Sequence, residues 1–571
     1  MEKRHPALSW VILQTEGYGW AVIGYMLLSL VFAAAAWLIP QLLERFVNEA
    51  AAGNQDSYSK LWYLALLAFT AIPVLTWLRR RLVLKLVFNL EQRIMRHFLI
   101  LDRPYYDRQN IGELPKHLAK AVNGTQNLLF ALLTPSFLVQ VPLAFFAGWY
   151  IAQTSMSVVI LLLGFMAAYL FVGVRLGKLM ATKEKEENEI GTTIDNRREE
   201  VVKQVTFIQL QQATEPVYQA LRRRDEDQLA QNNYLTWLYA LFEWLSGKVE
   251  FVAGLLMVLF FLPSVASGEL PMGTFFALYI YMGYVVQPAL FWGDVYAQIK
   301  SAWAEAEPAA EFLREQPSIH DHPDAVDLDP LDAGMSFQAV SFAYKGEERE
   351  PVLRDVSFEI PKGKMTAIVG KSGGGKSTIA KLLTRQYDPE VGCVCFDGTP
   401  LTHVSKASLY RRIAYLPQDI PIFSGSVREN TDLRRVCSDE NIRRVYRSVK
   451  SDFALKQGGL DRPADELSGG EKQRLALARM LLQGADVVVL DEATSALDGA
   501  TERGIVETFE ALRLAKGLTQ IVIAHRLSTV QHAHQIIVMD GGRVAAIGTH
   551  EELLETSSVY QDLSTHFTRQ D

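Results

Sequence analysis

The stretch Gly370-Lys371-Ser372-Gly373-Gly374-Gly375-Lys376-Ser377-Thr378 decides how this chain is read. It follows a short apolar run, residues 366–369, with the pattern of a buried strand. It precedes Ile379-Ala380-Lys381-Leu382-Leu383, which has the pattern of a helix. This is the spacing G-x-x-x-x-G-K-[ST] in its required strand–loop–helix context. Glycines let successive backbone N–H groups turn inward on a phosphate, and the helix N-terminus adds a favourable dipole end. Lys376 supplies a point charge to the β/γ-phosphates and the Ser377 hydroxyl a ligand for Mg²⁺.

Outward from the loop, the flanking sequence has the pattern of an α/β sheet. Residues 335–342 alternate as a strand and lead to Tyr344, and residues 352–360 form another. Downstream, residues 413–416 are a strand that runs through Pro417 into the polar Gln418. Leu467-Ser468-Gly469-Gly470-Glu471 opens a helix over 472–482, and its Ser and paired glycines make a second anion-binding corner. Val487-Val488-Val489-Leu490 is a fully apolar strand ending in Asp491-Glu492. An acid there can hold Mg²⁺, and the next can polarise an attacking water. Residues 521–524 are one more buried strand, ending at His525. Polar residues therefore gather at the C-terminal ends of apolar strands, where α/β sheets bind ligands.

The other half has a different composition. Apolar runs near 20–43, 61–78, 128–151, 158–174, 241–262 and 272–292 approach the roughly 20 residues that cross a bilayer. The segments between the second and third runs, and between the fourth and fifth, are long and rich in Lys and Arg. Arg79-Arg80-Arg81 and Arg222-Arg223-Arg224 stand among them. The other connections, 48–59, 153–155 and 263–271, are short and nearly free of both. The positive-inside rule places the long segments, the N-terminus and the phosphate loop in the cytoplasm. Residues 1–19 read as an interfacial helix. Glu243, Lys248 and Glu250 in the fifth run, and Asp294 after the sixth, are candidates for a substrate path or for interfacial charges, with Glu243 and Lys248 offsetting each other. The aromatics of these runs suit an amphipathic-substrate cavity and lipid-facing packing equally.

A Pro-rich acidic linker, 316–332, separates the halves. Its His320 and His322 lack a scaffold for a metal. The net charge of −7 argues against nucleic acid as a partner. Cys393, Cys395 and Cys437 fit a reduced compartment without disulfides, the first two as small strand residues. The expected fold is multidomain. An all-α six-helix transmembrane domain (1–315) and the linker (316–332) precede an α/β P-loop NTPase (333–571).

In this order, the phosphate loop, Gln418, Leu467–Glu471, Asp491-Glu492, Ser495-Ala496-Leu497-Asp498 and His525 resemble the ATP-binding cassette of ABC transporters. The N-terminal half resembles the exporter-type (type IV) membrane domain. The resemblance implies ATP and Mg²⁺ as cofactors. It implies that Tyr344 stacks on adenine, that Gly370, Ser372, Gly373, Gly375, Lys376, Ser377 and Thr378 hold phosphates and metal, and that Gln418 senses metal and water. Asp491 resembles the metal-side carboxylate, Glu492 the catalytic base and His525 the γ-phosphate switch. Ser468 and Gly470 resemble the signature that completes a partner's site, and Asp498 lies in the loop at the dimer interface. A second half-transporter chain, a homodimer before a heterodimer, is thereby expected in the cell's inner (plasma) membrane. The stretches near Gly112 and Gln212 resemble coupling helices. One departure stands out: residues 459–466 run into Leu467 without the Gly-Glu-x-Gly stretch of many relatives.

Export of an amphipathic small molecule or peptide is the leading expectation. A siderophore-type importer and an ATP-gated channel or regulator share the same motifs. The six apolar runs and their consistent charge bias argue against a soluble DNA-repair ATPase, and no motif specifies the substrate.

Overall fold

The computed structural model describes residues 17–52, 58–108, 114–154, 156–344, 350–371, 373–456, 458–491, 507, 509–515, 517–524 and 530–568. Contacts divide the chain into two units, 1–100 with 110–315 and 101–109 with 316–571. The helices of the first half, in chain order, are α1 (Gly19–Ala51), α2 (Tyr58–Ile100), α3 (Arg103–Arg108), α4 (Leu114–Leu132) and α5 (Pro135–Thr154). They continue with α6 (Met156–Lys203), α7 (Val205–Leu210), α8 (Thr214–Ala266) and α9 (Met272–Phe312).

The first unit is a bundle of long helices. At 1.5 Å per residue, the 48 residues of α6 span about 70 Å, more than twice a bilayer's hydrocarbon core. Such helices are long enough for a span and an extension beyond it. Among the described residues, α1 alone is by length and composition a helix that can cross a membrane. Phe251–Ala266 and Met272–Val286 are shorter apolar stretches. The bundle's outside is apolar, with Leu27, Val31, Phe145, Trp149, Phe251 and Leu259 exposed. Lipid, not water, suits such a surface.

The third apolar run departs from expectation. It is split between α4 and α5, because Pro135 starts a new helix and disfavours helical geometry at Thr134. The connection expected at 263–271 is shorter, because α8 continues through Pro263 to Ala266. The interfacial helix expected over 1–19 falls almost wholly outside the described residues.

Small residues let α4 meet α9 closely. A Cβ on Gly124 would stand 2.4 Å from Glu305 Cβ and 2.7 Å from the Ala306 nitrogen. Ala121, Ala306 and Ala309 are fully buried beside it. Elsewhere α5, α6, α8 and α9 share a core of Ala147, Ile151, Leu162, Met257, Leu278 and Tyr281. The Tyr281 hydroxyl donates to the Trp37 carbonyl at 2.6 Å, and its ring stands 4.7 Å from that of Tyr150. The half-buried carboxylate of Glu44 joins three helices. Tyr150 on α5 donates to its Oε2, and Thr274 on α9 donates to its Oε1 at 2.7 Å. One turn on, Asn48 Oδ1 accepts from the Gly273 backbone at 3.0 Å.

In the second unit the strands are β1 (Gly334–Phe342), β2 (Leu353–Pro361), β3 (Met365–Gly370), β4 (Val391–Phe396) and β5 (Thr399–Pro400). They continue with β6 (Ile413–Leu416), β7 (Val487–Asp491), β8 (Thr519–Ile523), β9 (Gln535–Asp540) and β10 (Arg543–Gly548). β2-β1-β4-β5 form an antiparallel sheet, and β10-β9-β3-β8-β7-β6 form a second. The second sheet is parallel apart from β10. Its strands β3, β7 and β8 are buried on both faces, which explains their unbroken apolar runs. The helices here are α10 (Lys376–Leu383), α11 (Lys406–Arg412), α12 (Val427–Thr431), α13 (Asp439–Ser448), α14 (Gly469–Gln483), α15 (His550–Thr556) and α16 (Ser558–Thr568). α10 covers one face of the second sheet, together with Ile368, Ile413, Val487 and Val489. Residues of α14 cover the other, with Ala414, Leu416, Val488 and Leu490.

The acidic stretch 316–332 is bound to this unit. Arg385, 2% exposed at its side chain, donates to the carbonyls of Val404 (2.7 Å) and His320 (3.0 Å) and pairs with Asp388 (3.1 Å). Asp321 accepts from the Lys406 backbone, and Leu328 N–H donates to Ser408 Oγ. Asp102, just before α3, accepts from Ser318 Oγ and the Ile319 backbone.

Candidate nucleotide site

The phosphate loop joins β3 to α10 on the face that α10 covers. Gly370 approaches β9 so closely that a Cβ would lie 2.3 Å from the Met539 carbonyl. Gly375, at φ +91°, caps α10 in the left-handed region, where a Cβ would strike Leu353. Lys376 is buried. Its Nζ donates to the carbonyls of Gly370 (2.8 Å) and Lys371 (3.1 Å), so the ammonium lies folded over the loop. Ser377 is exposed at the first turn of α10, and Thr378 is buried beside it. Ser372 lies outside the described residues.

Tyr344 follows β1 and is half-buried against the loop. Its hydroxyl stands 3.1 Å from Thr378 Oγ1, and its ring meets Phe342 and Tyr387 edge-on. Lys381, one turn along α10, places its ammonium 5.0 Å from the Tyr344 ring centroid. Sequence reading gave no role to Lys381, Tyr387 or Asp107, yet they form one cluster. On α3, Asp107 accepts from the Tyr387 hydroxyl (2.6 Å), pairs with Arg103 (2.6 Å) and lies 3.6 Å from Lys381. Burial raises the Asp107 pKa, but Tyr387, Arg103 and Lys381 together hold it below the usual carboxylate value. A depressed carboxylate stabilises the fold above its ordinary titration range and loses that contribution only as pH falls through its lowered value. The cluster is therefore intact at neutral pH. No local signal marks these residues, since Asp107 and Tyr387 lie 280 residues apart.

The first interrupted stretch, 108–115, falls between α3 and α4, and its residues 109–113, Gly112 among them, lie outside the described residues. The second interruption is as expected in place: α7 precedes Gln212, at φ +53°, and α8 resumes at Thr214. Replacing Asp107 with alanine leaves Tyr387 and Lys381 without this acceptor. We expect a loss of about 1–3 kcal/mol, seen as a lower melting temperature of the purified protein. Asp107→Asn, which keeps an oxygen for Tyr387, should lose less. Wild-type melting in both variants would remove the cluster's importance.

At the C-terminal ends of β6 and β7, Gln418 is exposed and Asp491 is half-buried. Tyr415 donates to Asp491 Oδ2 at 3.0 Å, and burial followed by this carboxylate pushes the phenol pKa well up. Glu492, Asp498 and His525 lie outside the described residues. Ser468 caps α14 in a capping box: its backbone N–H donates to Glu471 Oε2 (2.9 Å), and the Glu471 N–H donates back to Ser468 Oγ. Burial raises the Glu471 pKa, but Ser468 and Arg462 bring it below normal. Gly470 is half-exposed in the first turn. The stretch 459–466, which lacks the Gly-Glu-x-Gly pattern, is nonetheless held. Its Leu460 and Arg462 carbonyls accept from the Arg428 and Val427 backbones of α12.

In the bundle, Glu243 and Lys248 are exposed on α8. Lys248 lies over the rings of Trp244 and Phe251 rather than on Glu243. The side chains of Glu250 and Asp294 lie outside the described residues. Of the aromatics noted there, Tyr281 is core, while Trp237, Trp244 and Phe251 are exposed.

Comparison with known proteins agrees with both halves. The ABC transporter family model matches residues 353–495, and the ABC transporter transmembrane region matches 22–289. The probable multidrug resistance ABC transporter ATP-binding/permease protein YheI of Bacillus subtilis is 28% identical over 560 residues, 92% of this chain and 91% of that protein. The uncharacterized ABC transporter ATP-binding protein YknV of the same organism is 29% identical over 500 residues, 84% of this chain and 79% of that protein. The ATP-dependent lipid A-core flippase of Desulfotalea psychrophila is 36% identical over 309 residues, 52% of either protein. The structure of a bacterial Atm1-family ABC exporter with ATP bound shares the fold, at a TM-score of 0.79 and 23% identity, over 96% of this chain and 99% of that one. With a phosphate-loop cassette fused behind a bundle of long apolar helices, the chain belongs to the ABC transporters, as an exporter-type half-transporter that couples ATP hydrolysis to transport across a membrane.

Proposed function

We propose that this chain exports an amphipathic small molecule or peptide as a homodimer. It works in the inner (plasma) membrane, with the N-terminus and cassette in the cytoplasm. The membrane domain is 1–315, the linker 316–332 and the nucleotide-binding domain 333–571. The observation that carries this reading is the phosphate loop itself: a buried Lys376 folded over two loop carbonyls at the edge where β6 and β7 deliver Gln418 and Asp491. Relatives named for multidrug resistance and lipid A-core flipping favour an amphipathic cargo. The basic segments favour the stated orientation.

In this reading Tyr344 stacks on adenine, while Gly370, Ser372, Gly373, Gly375, Lys376 and Thr378 bind the phosphates. Ser377, Gln418 and Asp491 would hold Mg²⁺. They are all oxygen donors, and Ser377 and Gln418 are exposed, the hard-ligand set that Mg²⁺ prefers. When bound, Mg²⁺ neutralises charge on the β- and γ-phosphates. Glu492 takes the proton of the attacking water, and His525 contacts the γ-phosphate. Ser468 and Gly470 close the site of the partner chain. The exposed apolar residues of α7 (Val205 47%, Phe207 61% and Leu210 77%) support a second chain that covers them.

The test is ATPase activity of the protein in lipid nanodiscs with its mass measured in the same preparation. Activity at dimer mass, stimulated by an amphipathic solute, is the expected result. A silent monomer would sink the homodimer and direct attention to a different partner chain.

A further inference from the structure

We infer that Tyr415 is a positioning residue for ATP hydrolysis: its phenol O–H fixes the Asp491 carboxylate in the orientation that receives the nucleotide-bound metal. The inference rests on the reading of Asp491 as the metal-side acid.

Strand geometry places the two residues together. β6 and β7 are parallel neighbours, with Tyr415 opposite Val489 and Leu416 opposite Leu490. Side chains alternate faces along a strand, so Tyr415 shares a face with Ile413, Val487 and Val489. These residues, with Ile379, Leu382 and Leu383 of α10, belong to one core cluster. Asp491 is two residues beyond Val489, so it emerges on that same face, diagonal to Tyr415. A tyrosine is long enough to reach this diagonal, and its hydroxyl stands 3.0 Å from Asp491 Oδ2.

Packing alone does not call for that oxygen. A phenylalanine would fill the same space between β6, β7 and α10. The hydroxyl adds a donor aimed at one carboxylate oxygen, on the sheet face where the phosphate loop opens. A carboxylate held by such a partner keeps one rotamer, and metal ligands depend on partners of this kind.

The experiment uses the full-length protein in nanodiscs with Mn²⁺ as the metal probe and a non-hydrolysable ATP analogue. Bound Mn²⁺ is read by electron paramagnetic resonance for wild type, Tyr415→Phe and Asp491→Asn. Nucleotide binding without metal is read in parallel with a fluorescent ATP analogue in chelator. We expect Tyr415→Phe to weaken Mn²⁺ binding about 10-fold and to leave metal-free nucleotide binding unchanged. Asp491→Asn should weaken Mn²⁺ binding further. Wild-type Mn²⁺ binding in Tyr415→Phe, alongside its loss in Asp491→Asn, overturns the inference alone. Wild-type binding in both variants overturns the role of Asp491 and this inference with it. Loss of metal-free nucleotide binding in Tyr415→Phe would show a general packing defect and also overturn it.

Discussion

Lys376→Ala will reduce ATP turnover by about 100- to 1000-fold, the cost of removing one preorganised donor to a developing anion. The ammonium is buried and already held over the loop by the carbonyls of Gly370 and Lys371. It therefore needs little reorganisation to meet a phosphate oxygen, and the low-dielectric setting makes that contact strong. Alanine keeps the helix start, because Gly375 still caps α10. The loss should appear in kcat/KM and in nucleotide affinity, with the melting temperature little changed. Measurements of ATPase rate, nucleotide binding and melting in one preparation separate these effects. Turnover near the wild-type rate would remove the phosphate loop from the mechanism.

Glu492→Gln should lower kcat by about 100- to 10,000-fold, the range for losing a general base, while leaving ATP binding intact. The argument comes from the chain itself. β7 ends at Asp491, and Glu492 is the next residue in the sequence, the position that resembles the catalytic base of the cassette. Glutamine keeps the shape and removes the proton acceptor. A variant that binds ATP without splitting it should accumulate as closed dimers, visible as increased cross-linking between cassettes. A variant that retains most of its turnover would place the base elsewhere.

The cassette was the more legible half. Its central strands β3, β7 and β8 are buried on both faces, so each reads as an unbroken apolar run, and polar residues after β6 and at the end of β7 mark the site edge. Local motifs single out Lys376, Ser468 and Asp491 as candidates. They did not suffice for Asp107, whose partners lie across the chain, or for Lys381, which reads as one more exposed helix charge. In the bundle, hydropathy located the long helices, because lipid-facing surface is a matter of composition. Hydropathy is insensitive to backbone breaks, so it passed over the division at Pro135, although the proline was visible. Glu44 escaped for a related reason. It follows the apolar run 20–43 and reads as a span boundary, whereas its partners on α5 and α9 place it inside the bundle.

That carboxylate has a consequence for how the bundle opens. Glu44 ties α1 to α5 and α9 through the hydroxyls of Tyr150 and Thr274. If α1 parts from either helix, the carboxylate gives up a donor that hydrocarbon cannot replace. Water can replace it. Separation at this level is therefore a wetting event, in which the helices part only as solvent follows them in. The three-helix junction at Glu44 thus sets a solvent requirement on any parting of α1 from its neighbours.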